Sequence, residues 1–393
     1  MYQQRLLAPA LRQALAGFPA VLLTGPRQSG KTTFLRQEAA EADYISFDDP
    51  LERDFATVDP IGFLARFADR PVILDEIQYV PALLSHIKIR IDDDPGRCGR
   101  WLLTGSQQFG LMRDVSESLA GRVAILELPP FSHMEYPRLS LADALWNGSY
   151  PIPAIHPDRR DLWLRSYVST YIERDVRQIR NIPDLRAFNQ FLNLAATRHG
   201  QEFHAADLSR ELGITQPTAK SWGGVLEASY IAHLLQPWFR NYGKRVVKSP
   251  KFYFYDPALV TLLTRQPDAV AAIAGPMGGA LLEGWVVTEA VKAFMAQGRK
   301  PDVYFWRSHD GLEVDLLIVI DGKLQPVEIK LTATPGAGHI DPINRFIAVA
   351  GDEAISQGII VCRTDKQRPL PNGHIAMPWQ DFPEWVRTSL NIL

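Results

Sequence analysis

Cysteine is nearly absent. The 393 residues contain two, Cys98 and Cys362, far apart in the chain. They offer neither a disulfide framework nor metal-ligand spacing, and point to a reducing cytoplasm. The nine histidines are scattered, without zinc-site spacing. No apolar run approaches the roughly 18–20 residues that cross a bilayer, so no membrane partner is expected. The opening stretch MYQQRLLAPALRQAL reads as an amphipathic helix and lacks the apolar core of a signal peptide. A dominant charge sign is also lacking. The formal net charge of −2 excludes a globally basic nucleic-acid binder but leaves room for a local basic patch. There is no internal repeat and no low-complexity segment. What is there is a globular composition, 46% hydrophobic and 22% charged. The length predicts roughly two to four domains.

The first chemistry lies in AVLLTGPRQSGKTTFLRQEAA, residues 20–40. An apolar run suited to a buried parallel strand leads into Gly25, Pro26, Arg27, Gln28, Ser29, Gly30, Lys31, Thr32 and Thr33, and a helix follows. The spacing is G-x-x-x-x-G-K-[ST]. Its glycines let backbone N–H groups curl around phosphates, and the helix start adds partial positive charge. Lys31 is expected on the β- and γ-phosphates of ATP, and Thr32 on Mg²⁺. PVILDEIQ, residues 71–78, ends a second apolar strand in two acids. Ligands sit at that end of open α/β sheets. Asp75 is placed to bind Mg²⁺ and Glu76 to orient or deprotonate the attacking water. RWLLTGSQQ, residues 100–108, ends a third strand in polar groups. Ser106 is expected beside the γ-phosphate, with Thr104 as second choice.

These segments together resemble a AAA+ ATPase: P-loop, Walker B ending in Asp-Glu, a polar sensor, then an arginine before the last strand. That resemblance implies Arg122 as an arginine finger reaching a neighbouring subunit, and hence a homo-oligomer.

The middle of the chain turns helical. Apolar positions recur at helical spacing over residues 161–179, which suits a lid over the nucleotide. DLSRELGITQPTAKSWGGVLEASYIAHLL, residues 207–235, reads as helix, turn at Gly213, helix, with Thr215 as N-cap and Pro217 in the first turn. A strand, a basic turn and another strand follow, as in a winged helix. No acidic residue falls between Ala228 and Tyr255, while Arg240, Lys244, Arg245, Lys248 and Lys251 do. The patch suits a phosphate backbone, with Lys220 and Gln216 facing a major groove. DNA is the expected partner. Nothing in the sequence separates it from RNA. A winged helix also serves as a protein-contact module, which stays open here.

The last segment holds EVDLLIVIDGKLQPVEIK, residues 313–330. Asp321 and Gly322 signal a type I′ hairpin turn. The register then sets Ile320 opposite Lys323, Asp315 opposite Glu328, and Glu313 opposite Lys330. All four charged residues share one face, with Val314, Leu316 and Ile318 on the other. Facing carboxylates repel unless a cation sits between them. Two at this separation suit Mg²⁺ or Mn²⁺. Lys330 points to the same place and can orient water or stabilise charge on a phosphate. Two antiparallel strands carrying Asp, then Glu-x-Lys, resemble the PD-(D/E)xK nuclease core. That family also carries a glutamate on the preceding helix. Glu283, on an otherwise apolar face with Val287, Ala290 and Phe294, is in that place.

The order of modules resembles the prokaryotic ATPases of the AAA_14/DUF4143 type. It implies an α/β multidomain chain. Residues 1–135 form a AAA+ P-loop parallel-sheet core and 136–195 a helical lid. Residues 196–270 form a winged helix and 271–393 a restriction-endonuclease-like domain. The function expected is an ATPase coupled to DNA binding and metal-dependent phosphodiester cleavage. The alternative is an ATP-dependent regulatory switch with a non-cleaving C-terminal domain.

Overall fold

Five short apolar strands build the first sheet: β1 (Ala20–Thr24), β2 (Asp43–Ser46), β3 (Val72–Asp75), β4 (Trp101–Thr104) and β5 (Val123–Glu127). The computed structural model describes residues 2–105, 114–115, 117–172, 184–239 and 249–390. The sheet is all parallel, in the order β2-β3-β4-β1-β5. Its three central strands, β3, β4 and β1, are buried on both faces, as in parallel sheets generally. Leu22, Leu74 and Leu103 pack with Phe63 and Phe67 on one side. Val21, Leu23, Ile73 and Leu102 pack with Leu11 and Phe34 on the other. The chain divides into two compact units. This sheet lies in the first, residues 1–130 with 228–230 and 295–299.

The second unit takes residues 131–227, 231–294 and 300–393. The helices Ala205–Leu212 and Gln216–Ala228 meet at a turn. A three-stranded antiparallel sheet accompanies them, built from β6 (Gln201–Glu202), β7 (Ala232–Leu235) and β8 (Lys251–Phe254), with β8 in the centre. The long helix Gly278–Met295 then leads into a six-stranded mixed sheet. Its strands are β9 (Val303–Arg307), β10 (Glu313–Ile320), β11 (Lys323–Ile329), β12 (Ile359–Cys362), β13 (Arg368–Pro369) and β14 (Ile375–Pro378), in the order β13-β14-β12-β11-β10-β9.

The hairpin turn forms as its sequence requires. Asp321 and Gly322 both take positive φ, 49° and 76°, the type I′ conformation. Ile320 pairs with Lys323, and the same register runs to Leu316 opposite Val327. Beyond that point the expected alternation breaks. Pairing of β10 with β9 shifts by one residue between Val314 and Leu317. Such a bulge opposes two residues to one and re-aims the side chains around it. Val314 therefore packs in one cluster with Leu317, Trp306 and Phe346, not apart from it.

Two buried polar contacts brace this unit. Glu289 and Lys292 are paired at 2.9 Å, with Lys292 donating to the Phe131 carbonyl and the His133 N–H donating to Glu289. Nearby, the Phe254 N–H donates to His199 Nδ1 at 3.1 Å. Burial pushes the His199 pKa down to about 3. The unfolded chain takes up that proton first, near the ordinary value of about 6.5. Stability from the neutral ring is thus complete above that value and drains away as pH falls towards 3. The ring lies against Gly284, where a Cβ would fall 2.0 Å from Nε2. Gly284→Ala is expected to cost about 1–3 kcal/mol of overpacking, measured as a lower urea midpoint at neutral pH. An unchanged midpoint contradicts this packing.

Candidate functional site

The P-loop grows out of β1. Gly25 has φ 143°, and a Cβ there would lie 2.4 Å from the Leu128 carbonyl oxygen, so only glycine lets the chain pass. Gly30, at φ 93°, turns the loop into the helix Lys31–Glu38. The positive end of that helix closes the loop. Lys31 is 7% exposed, and its Nζ donates to the carbonyls of Gly25 (3.1 Å) and Pro26 (2.9 Å). These are weak partners for an ammonium, and a polyphosphate replaces them with charge. Arg5 supports the loop from beneath, donating to the Ser29 carbonyl (2.8 Å) and to Pro129 (2.6 Å).

Asp75 ends β3 and is 5% exposed. Three hydroxyls converge on it. Thr32 Oγ1 donates at 2.9 Å, Tyr44 Oη at 2.9 Å, and Thr104 Oγ1 makes a short contact. Thr32 and Asp75 together form the oxygen pair that suits Mg²⁺ beside a nucleotide. Burial and the Asp75 charge push the Tyr44 pKa up to about 12, so the phenol stays a donor. Glu76 follows at φ 57°, a left-handed conformation costing of order 1–3 kcal/mol in a non-glycine residue and frequent at functional sites. Its N–H donates to Thr104 Oγ1 at 3.2 Å, and Gln78 Nε2 holds its Oε2.

A second polar centre lies in the second unit. Lys330 Nζ bridges Asp315 Oδ2 (3.2 Å) and Glu328 Oε1 (2.6 Å). The Ile329 N–H also donates to Asp315 Oδ2 at 2.8 Å. Glu328 is 3% exposed, and its Oε2 has no hydrogen-bond partner among the described residues. Burial, then the Asp315 charge, pushes its pKa up to about 8. Beside this pair, Glu283, Glu313 and Asp315 each offer an oxygen within 4.8 Å of the others. Lys251 Nζ lies among them, 2.8 Å from Glu283 Oε1 and in close contact with Glu313 Oε1. Tyr253 Oη donates to Glu283 Oε1 at 2.6 Å. Burial disfavours both ammonium charges, but the carboxylates outweigh it and hold the Lys251 and Lys330 pKa values above normal. Burial and the Asp315 charge likewise raise the Glu283 pKa against the pull of Lys251.

Comparison with known proteins matches these two centres to separate regions. A family model described as an AAA domain matches residues 17–137. One described as a domain of unknown function, DUF8612, matches 138–269, and another, DUF4143, matches 278–382. Uncharacterized proteins of Mycobacterium tuberculosis and Mycobacterium bovis are each 33% identical over 383 residues, covering 96% of this chain and 84% of theirs. The chain belongs to this AAA–DUF4143 family of P-loop ATPases. Among solved structures, the Walker-type ATPase of Pyrococcus abyssi overlaps at a TM-score of 0.46 and 15% identity, covering 65% of this chain and 94% of that one. An overlap at that level assigns no residue.

In this AAA–DUF4143 ATPase, Thr32 meets Asp75 through a hydrogen bond, Lys31 precedes Thr32 at the start of its helix, and Glu76 follows Asp75. Ser106 lies outside the described residues, and Thr104 is the polar group that reaches Asp75. Arg122 is committed to Asp92, with Nε at 2.6 Å and Nη2 at 3.2 Å. It precedes β5, at the end of the sheet away from the P-loop. The arginine-finger reading concerns a neighbouring subunit's phosphate and stays a proposal.

Glu283, Asp315, Glu328 and Lys330 are gathered in one region. Glu313 does not face Lys330. The bulge leaves it with Lys251, and its Oε2 lies 3.4 Å from Arg307 Nε. Lys220 and Gln216 are exposed on their helix. Arg240, Lys244, Arg245 and Lys248 lie outside the described residues. Lys251 is corrected: it is 5% exposed and forms no part of a solvated basic face. The central strand β8 turns it inward onto carboxylates. Tyr44 and Tyr253 carried no sequence signal, since a lone tyrosine on an apolar strand reads as core.

Tyr44→Phe removes one of three donors to Asp75. It is expected to lower kcat for ATP hydrolysis about tenfold, roughly 1.4 kcal/mol, with the fold intact. Unchanged turnover contradicts a positioning role for Tyr44.

Proposed function

We propose that this ATPase couples nucleotide hydrolysis to DNA binding and to divalent-cation-dependent phosphodiester cleavage at Glu283, Asp315, Glu328 and Lys330. The observation that supports it most is the buried Glu328 carboxylate, whose Oε2 has no hydrogen-bond partner among the described residues while Asp315 sits beside it. An unmatched buried carboxylate oxygen is costly, and a hard cation removes the cost. The donors are all oxygens, which fits Mg²⁺ or Mn²⁺. When bound, such an ion supplies charge neutralisation for the phosphodiester and a more acidic water. Asp315 and Glu328 are its proposed holders. Lys330, 31% exposed at its side chain, has the freedom to leave the carboxylates and place its ammonium beside phosphate oxygens. The helix-turn-helix and its three-stranded sheet make a winged-helix element, whose exposed Gln216 and Lys220 are proposed to meet the duplex.

One observation favours a second reading, an ATP-dependent switch with a non-cleaving C-terminal domain. The Lys251 ammonium already balances part of the acidic charge, so the cluster is stable without a metal. Cleavage decides between them. With Mg²⁺ or Mn²⁺ and single-stranded, duplex and branched DNA, wild type is expected to cut, and Asp315→Ala and Lys330→Ala to lose at least about a hundredfold in rate, the scale of a lost charge-stabilising group. Equal or absent cleavage by all three rules out the nuclease reading and leaves the switch.

A further inference from the structure

The four carboxylates and two lysines of the second centre separate into two places for positive charge. In one, Lys330 spans Asp315 and Glu328. Lys330 follows the last residue of β11, and its side chain is 31% exposed. In the other, Lys251 lies against Glu283 and Glu313, with Asp315 close enough to act on its charge. Its side chain is only 6% exposed. Its backbone is held from both sides, because β8 pairs Lys251 with Glu202 of β6 and with Leu235 of β7. Tyr253, two residues along the same strand, fixes Glu283 by a further hydrogen bond.

Three carboxylate oxygens within 4.8 Å of one another are close to the spacing a hexacoordinate divalent ion uses. Like charges so placed, and largely out of water, need a cation. An ammonium on a rigid strand supplies one that cannot diffuse away. We propose that Lys251 is a built-in cation: it fills the place that Glu283, Glu313 and Asp315 would otherwise give to a metal ion, and so restricts the centre to one divalent ion, at Asp315 and Glu328. This rests on the cation reading of Asp315 and Glu328 given above. Lys330 is the more exposed of the two, 31% against 6% at the side chain, and is the one proposed to yield its place to an ion. The centre is thereby a one-ion site, without the paired-metal clamp of two-ion phosphoryl-transfer enzymes. The element that imposes the restriction is the strand next to the helix-turn-helix, not the six-stranded sheet that carries the acids.

Counting bound Mn²⁺ by calorimetry on the full chain tests this, every protein carrying Asp75→Ala so that no ion is counted at the ATPase centre. Wild type is expected to bind one ion in this centre, lost in Glu328→Gln. Lys251→Met is expected to bind two, and Lys251→Arg one. Lys251→Met leaves three carboxylates uncompensated and risks misfolding. The double variant Lys251→Met with Glu313→Gln removes one charge of each sign, keeps Glu283 and Asp315, and is also expected to gain an ion. Two ions in wild type, or no gain in either Lys251→Met variant, overturns the proposal. No ion in wild type with one gained on removing Lys251 overturns the Asp315–Glu328 reading and leaves the role of Lys251 standing.

Discussion

The second unit depends on one contact, the buried Lys251 ammonium among Glu283, Glu313 and Asp315. Carboxylates this close do not stay ionised without compensation. Their compensation comes from a residue of a different sheet. The contact therefore joins β8 to the helix Gly278–Met295 and to β10 by charge as well as by packing. Removing one partner of such a buried group leaves the others uncompensated, which costs far more than a surface pair is worth. The apolar clusters around it set shape, and this polar contact sets which elements must meet.

The first unit handles charge in the opposite way. Asp75 is held by three hydroxyls, from Thr32, Tyr44 and Thr104. Hydroxyls orient a carboxylate without neutralising it, so its charge stays available to a cation. Lys31 donates to the carbonyls of Gly25 and Pro26 in the P-loop. The second centre instead carries cations of its own, two lysines against four carboxylates. A self-neutralised acid site admits a metal only where one of its own lysines yields.

Much of this was legible in the sequence, for physical reasons that differ by residue. The P-loop reads directly because Gly25, Gly30, Lys31 and Thr32 act locally, within one turn of chain. The hairpin reads directly because Asp321 and Gly322 fix its register by themselves. Glu283 was visible as one acid on an apolar helix face. The bulge in β10 was not, since nothing between Val314 and Leu317 departs from an ordinary strand pattern, and it displaced Glu313 from its expected partner. Lys251 was misread for a similar reason. Its neighbours in sequence are basic, and only the central position of β8 turns it inward. Tyr44 and Tyr253 act through partners 31 and 30 residues away, a distance at which pattern carries no information.

The two lysines of the second centre are proposed to differ in kind, one yielding to a metal ion and one replacing it. Anomalous diffraction from crystals soaked in Mn²⁺ tests that claim most directly. The account predicts a single peak at this centre, between Asp315 and Glu328, with Lys330 displaced and Lys251 still seated on Glu283 and Glu313. A peak among Glu283, Glu313 and Asp315 with Lys251 expelled, or no peak at either place, would contradict it.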